Sequence, residues 1–115
     1  MKTINRFALI VRPADPYIEW AAKAFGEPES KVRKELNESE PSVYLLSESS
    51  APDLNHPGVL KSNWKSIFIE ELEGWCTDET CWPQHRTELL FRAWFKLEFC
   101  TIVFDCVKTP IVHEK

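Results

Sequence analysis

Between residues 70 and 86 the chain gathers most of the side chains that could do chemistry: Glu70-Glu71-Leu72-Glu73-Gly74-Trp75-Cys76-Thr77-Asp78, then Cys81-Trp82-Pro83-Gln84-His85-Arg86. At about 100° per residue, a helix here lines Leu60, Trp64, Ile67, Phe68, Leu72 and Trp75 into one apolar stripe. Glu71 projects from the middle of that stripe, while Glu70 and Glu73 point elsewhere. A following helix repeats the pattern with the opposite sign. Leu89, Leu90, Ala93 and Trp94 form its inner stripe, and Arg86 lies at the stripe's centre near the first turn. A lone ion in an apolar seam costs several kcal/mol after relaxation, so each needs a partner. Glu71 and Arg86 are therefore expected to meet across the helical hairpin in a charge-assisted, bidentate pair. Such a pair either fixes how the helices dock, or opens onto a pocket rimmed by Trp75, Asp78 and Trp82 where it orients a polar ligand or a partner's side chain. A third use makes Glu71 a general acid or base, with Asp78 or His85 as the nearest helpers.

Other candidates are weaker. Cys76-x4-Cys81-x3-His85 offers three zinc ligands with Asp78 between them, but the spacing is not the C-x2-C knuckle of strong zinc sites. Free thiols and a zinc-stabilised domain are the two readings it leaves. Cys100 and Cys106 would share one face of a late strand as inert buried thiols among Ile102 and Phe104. Arg12, at the end of the first strand and beside a helix start, could hold an anion, although Asp15 occupies that helix end. Asp105 either caps a turn or joins Glu71 and Arg86 as a third member of their network. The only glycines are Gly26, Gly58 and Gly74, and His56, His85 and His113 sit in no triad-like context. There is accordingly no phosphate-cradling loop, dinucleotide fingerprint or nucleophile elbow, and no cofactor is expected.

The elements that position these residues follow from periodicity. Residues 7–11 are apolar on both faces and stop at Arg12-Pro13, which suits a buried strand. Asp15-Pro16 signals a helix start, with Tyr17, Trp20, Ala21, Ala24 and Phe25 on one face and Gly26 as the stop. Residues 29–37 form a short polar helix anchored by Val32 and Leu36, and 43–46 a second strand. Residues 47–58 are dense in turn formers and serve as a lid or a plain loop. Helices over 59–75 and 86–95 then lead to a third strand over 97–107, expected to be central. The order βα(α)βααβ predicts an α/β (α+β) fold: a small three-stranded mixed sheet with three or four helices, in one globular domain spanning residues 1–115. Phe91 and Phe95 fall on the far side of their helix, a second packing surface for the sheet or another subunit.

Composition narrows the class. A net charge of −4 argues against a broad nucleic-acid-binding surface. The apolar run near the start is far short of a signal-peptide core or a membrane span, so a cytoplasmic protein with reduced thiols is expected, with no membrane partner. Five tryptophans and seven phenylalanines exceed what a small core needs, and some are expected to line a cleft or an interface. Val11-Arg12-Pro13 before Asp15-Pro16-Tyr17, residues 70–75, Trp82-Pro83 with Arg86-Thr87, and Trp94-Phe95 together resemble a family of small bacterial proteins of unknown function. The resemblance implies a bacterial, soluble protein and carries no activity, cofactor or site. The reading favoured by the residues is a non-enzymatic binding or protein-interaction module, with a homodimer or a small polar ligand as partner, working through the loop between the two late helices. The rivals are a small enzyme acting on a polar metabolite through Glu71, and a zinc-stabilised domain.

Overall fold

The computed structural model describes residues 2–47 and 60–114. The lid expected over 47–58 thus lies, but for Ser47, outside the described residues, as does the start of the long helix at Val59. Strand β1 (Arg6–Pro13) is the centre of a three-stranded sheet, flanked by β2 (Ser42–Ser47) and β3 (Phe95–Cys100) in the order β2-β1-β3. The α+β class and its three strands are as expected, but the sheet is antiparallel throughout rather than mixed, and β1, not the last strand, is central.

The helices explain the direction. A single crossover helix carries a chain back along the sheet and yields a parallel neighbour. Here two helices, α1 (Asp15–Phe25) and α2 (Glu29–Glu38), run out and return, so β2 begins beside the residue where β1 ends, Ser42 opposite Val11. The second excursion, α3 (Trp64–Trp75) and α4 (Glu88–Trp94), crosses the sheet instead: β2 ends at Ser47 opposite Arg6 and β3 starts at Phe95 opposite Pro13, so the two outer strands run the same way on either side of β1. Alternation along the strands then sorts the side chains. Leu9, Val11, Tyr44, Leu46, Phe95, Leu97 and Phe99 face the helices and join the core, whereas Ala8, Ile10, Val43, Leu45, Lys96 and Glu98 take the opposite face.

Local chemistry sets the ends of the helices. α1 carries Pro16 in its first turn and stops at Gly26, whose φ of 62° favours a residue without Cβ. Asp15 makes no capping bond; its carboxylate instead takes Arg33 of α2 at 2.6 Å, clipping the two helices together. Tyr17, Ile18, Ala21 and Ala22 form the buried face of α1, rotated from the expected one, and Phe25 is left largely exposed.

α4 is shorter than expected and rotated about its axis. Its cap is Thr87, whose hydroxyl accepts from the Leu90 amide at 3.0 Å, so Arg86 lies outside the helix. Phe91 is fully buried against Phe68 and Phe95, with ring centroids 5.6 and 5.1 Å apart, whereas Leu89 is 79% exposed. The expected far side thus joins the core together with Leu90 and Trp94 of the expected inner stripe, while Leu89 and Ala93 are exposed. Two phenylalanine rings bury more apolar area than the Leu89 and Ala93 stripe, and that difference selects the face. Beyond Cys100 the chain leaves the sheet, because β1 has begun only at Arg6; Thr3 still bridges to Phe104, and the Ile4 amide donates to the Val103 carbonyl at 2.8 Å. The third strand thus ends short of the expected residue 107. Cys100 and Cys106 do not share a strand face, and Ile102 and Phe104 are exposed.

Candidate functional site

Glu71 and Arg86 do not meet. Glu71 lies on α3, where its Oε2 accepts from the Tyr44 hydroxyl of β2 at 2.5 Å and its main-chain carbonyl accepts from the Tyr17 hydroxyl of α1 at 2.7 Å. Arg86 donates through Nη1 to the Pro83 carbonyl at 2.8 Å and rests its guanidinium over the Trp82 ring, 5.8 Å from the centroid. Its Nε is buried with no hydrogen-bond partner. The expected ion pair fails because a phenol satisfies the carboxylate at no cost in a second buried charge. The Thr87 cap also starts α4 too late to carry Arg86 into the seam.

The remaining predicted residues separate in the same way. Trp75 donates from Nε1 to the Ala21 carbonyl at 3.0 Å and leans on Phe25. Trp82 is buried and donates to the Cys76 carbonyl at 2.8 Å, closing residues 76–82 into a loop, while Trp20 donates to the Cys81 carbonyl at 2.8 Å from outside it. Asp78 caps the 3₁₀ turn Glu79–Cys81, accepting from the Thr80 amide at 3.0 Å and its hydroxyl at 2.7 Å. Those two bonds hold its carboxyl below the usual range. The pocket expected between Trp75, Asp78 and Trp82 is thus filled by the loop's own hydrogen bonds.

The same loop bears on the zinc reading. The Cys81 thiol is pushed up, first by its hydrogen bond with Cys76 and then by burial. His85 is exposed, and among the described residues no group of three or more His, Cys, Asp or Glu could hold a metal ion. Asp105 accepts from the Val107 amide at 2.9 Å and caps a turn, as the simpler expectation had it.

What the fold does open is a cleft of about 680 Å³ at the end of the sheet where β1 finishes and β2 begins. That size suits a small molecule. Tyr17 and Tyr44 reach its floor; Glu70, Glu71, Gly74 and Trp75 of α3 make one wall; the end of α2 and the turn through Ser39 and Glu40 make another. Arg12 and Lys96, register partners on neighbouring strands, stand at its rim. Of the five predicted site residues, Glu71 and Trp75 line this cleft and Asp78, Trp82 and Arg86 do not.

Its electrostatics are unbalanced locally and nearly balanced overall. Among the described residues, Arg12, Lys96, Glu40, Glu70 and Glu71 take part in no ion pair. Burial pushes both tyrosine hydroxyls well above their ordinary value of 10.0; the hydrogen bond to Glu71 adds to this at Tyr44, and the Glu71 charge adds at Tyr17. Both phenols are therefore donors across the accessible pH range. The arrangement can hold a cationic nitrogen at the Glu70 and Glu71 wall beside Trp75, and an anionic group at Arg12 and Lys96.

Sequence reasoning missed Tyr17, Tyr44, Glu70 and Lys96 as cleft residues; Arg12, which it weighed as a weak anion candidate, lines the cleft. The signal that bears on them is the first βααβ unit, whose two helices bring the chain back to the end it left and put Tyr44 directly opposite Leu9, facing α3. No family model, curated protein or solved structure matches the chain, so its geometry alone carries the functional reading.

Proposed function

We propose that this chain is a non-enzymatic binding module whose cleft takes a small zwitterionic ligand, its amine held by Glu70 and Glu71 and its carboxylate by Arg12 and Lys96. The observation that carries the reading is one cleft lined by charges of both signs, none of them ion-paired among the described residues. An unpaired charge at a concave site is most simply explained by a ligand that completes it. Tyr44 and Trp75 would flank the bound nitrogen, and Tyr44 already orients the Glu71 carboxylate. The tyrosines are held protonated and the carboxylate is engaged, which favours recognition over proton transfer. A cytoplasmic, bacterial setting with a metabolite as ligand belongs to the same reading.

Thermal unfolding with a panel of free amino acids, alongside amine-only and carboxylate-only analogues of the same size, tests it. A cognate zwitterion at a hundred times its dissociation constant adds about 2.7 kcal/mol of stability. The single-charge analogues bind at least about tenfold more weakly, since each forfeits a charge-assisted contact. Gly74→Leu supplies a control: a Cβ at Gly74 meets no atom within 4 Å, so the side chain enters open space and should block the cleft while the fold survives. If no zwitterion stabilises the chain, or if binding persists in both Glu71→Gln and Gly74→Leu, the reading falls. Conversion of a bound ligand to product would instead favour an enzyme with Glu71 as acid or base.

A further inference from the structure

Cys76 follows the last residue of α3, and Cys81 closes the 3₁₀ turn Glu79–Cys81. Hydrogen bonds fold the stretch between them back on itself. The Asp78 carbonyl takes the Cys81 amide at 3.0 Å and the Cys76 Sγ at 3.7 Å, so both cysteines converge on one oxygen. The buried Trp82 indole closes the loop on the Cys76 carbonyl at 2.8 Å, and Trp20 of α1 pins the Cys81 carbonyl at 2.8 Å from outside. Held in this way, the two thiols share a hydrogen bond, and both are free.

We infer that Cys76 and Cys81 form a reversible disulfide site, in which Cys81 exchanges with a small-molecule disulfide, the oxidised form of a soluble thiol, and Cys76 resolves the adduct. Exposure sets the order: Cys76 is only 6% exposed, whereas Cys81 is partly open to solvent. Cys81 gives its proton to solvent and its thiolate attacks one sulfur of the small disulfide. That S–S bond breaks, one small thiolate leaves and takes up a proton, and a mixed disulfide remains on Cys81. Cys76 then loses its proton to solvent and attacks the Cys81 sulfur from inside the loop, expelling the second small thiol. In sum two protein thiols are oxidised, one small disulfide is reduced to two thiols, and no further oxidant is consumed.

The second step is where the fold contributes. Sulfurs already in contact make the attack intramolecular and preoriented, so the adduct is resolved rather than left standing. The loop is short, so closing it costs the unfolded chain little and lends the folded chain little stability. This suits a transient disulfide that responds to the thiol pool better than a structural staple. Oxidation removes both S–H donors, including the one on the Asp78 carbonyl, and ties the end of α3 to the 3₁₀ turn. None of Cys76, Cys81 and Trp82 lines the cleft, so this inference is independent of the ligand.

Equilibration of the full chain with mixtures of reduced and oxidised glutathione, followed by acid quenching, trypsin and mass mapping, tests it. Cleavage after Lys65 and Arg86 leaves Cys76 and Cys81 together in one peptide, and cleavage after Lys96 and Lys108 leaves Cys100 and Cys106 in another, so each internal disulfide is read separately. The expected result is an internal disulfide in the first peptide, reversed by excess reduced glutathione. Its equilibrium constant should be at least about tenfold larger in the folded chain than in the same chain in urea. Cys76→Ser should stall as the mixed disulfide on Cys81, whereas in Cys81→Ser the buried Cys76 should take up no glutathione. Absence of the internal disulfide, equal constants in folded and unfolded chain, or glutathione on Cys76 in Cys81→Ser each overturns the inference. The wild-type chain and Cys81→Ser carry the test by themselves if Cys76→Ser does not fold.

Discussion

Leu89 and Phe91 of α4 offer the sharpest check on the packing, because sequence periodicity and structure place these two residues on opposite sides. Phe91 is fully buried, 5.6 Å from the Phe68 ring and 5.1 Å from the Phe95 ring, whereas Leu89, two residues earlier on the same helix, is 79% exposed. Truncating a buried phenylalanine removes its transfer free energy and leaves a cavity, together about 3–5 kcal/mol. Each lost aromatic pair carries about 0.5–1.5 kcal/mol beyond area, which places Phe91→Ala in the upper part of that range. With a urea slope of roughly 1–3 kcal/mol/M for a domain of this size, the midpoint should fall by roughly 2 M. Leu89→Ala loses little buried area and little helix propensity, and should stay within about 0.5 kcal/mol of the parent. Urea unfolding followed by fluorescence of the five tryptophans measures both. Because a change of 4 kcal/mol is a large part of the roughly 5–15 kcal/mol typical of a whole domain, Phe91→Leu, at about 1–2 kcal/mol, keeps the comparison available if the alanine variant does not fold. If Leu89→Ala costs more than Phe91→Ala, the helix packs by its other face and the core described above is wrong.

A double-mutant cycle of Glu71→Gln with Arg86→Met should give a coupling within about 0.5 kcal/mol, since the two side chains share no partner; coupling of about 1.5 kcal/mol or more would restore the ion pair. Trp82→Phe removes the indole donor to the buried Cys76 carbonyl and should cost about 1–3 kcal/mol in thermal unfolding, while a loss under about 0.5 kcal/mol would mean that this bond does not hold the loop. The chain has two tyrosines, both with hydroxyls pushed above their ordinary value of 10.0, so ultraviolet titration should show no tyrosinate near that pH. Their raised folded values mean that the stabilisation is complete below 10.0 and is lost as pH rises through the folded value, so ionisation should coincide with unfolding. Ordinary ionisation of either tyrosine in the folded protein would contradict the burial.

Apolar pattern made the elements legible, and register was harder. The run 7–11, the Pro16 and Gly26 signals and the stripe of Ile67, Phe68 and Leu72 each fix an element whose side chains prefer one environment over water by more than any local alternative. Where two faces competed, as on α4, periodicity alone was indifferent: Leu89 with Ala93 and Phe91 with Phe95 satisfy nearly the same spacing. The decision came from Phe68 on another helix, which sequence spacing does not reveal. The direction of β2 was in principle legible from the two helices before it, which return the chain to the end it left; the excursion through α3 and α4 also has two helices yet crosses the sheet, so helix number alone does not give the direction of β3.

The site was legible in part for a related reason. The part-buried place of Glu71 beside its stripe follows from helical spacing, and so does its need for a partner. The choice of partner does not, because hydroxyl donors are electrically silent in a sequence and Tyr44 reads as one more β-forming residue. An arginine fifteen positions away looks like the natural counter-ion only while charge is the sole criterion. In a part-buried seam a neutral donor satisfies a carboxylate with one desolvated ion instead of two, and the second ion's penalty usually exceeds what its attraction returns. Arg86, released from that duty, takes a carbonyl and an aromatic face, both of which accept a cation without bringing another charge. The same economy leaves Glu71 with an unneutralised charge at the wall of a cleft, and that residual charge, rather than a salt bridge, is what gives the cleft its claim to a ligand.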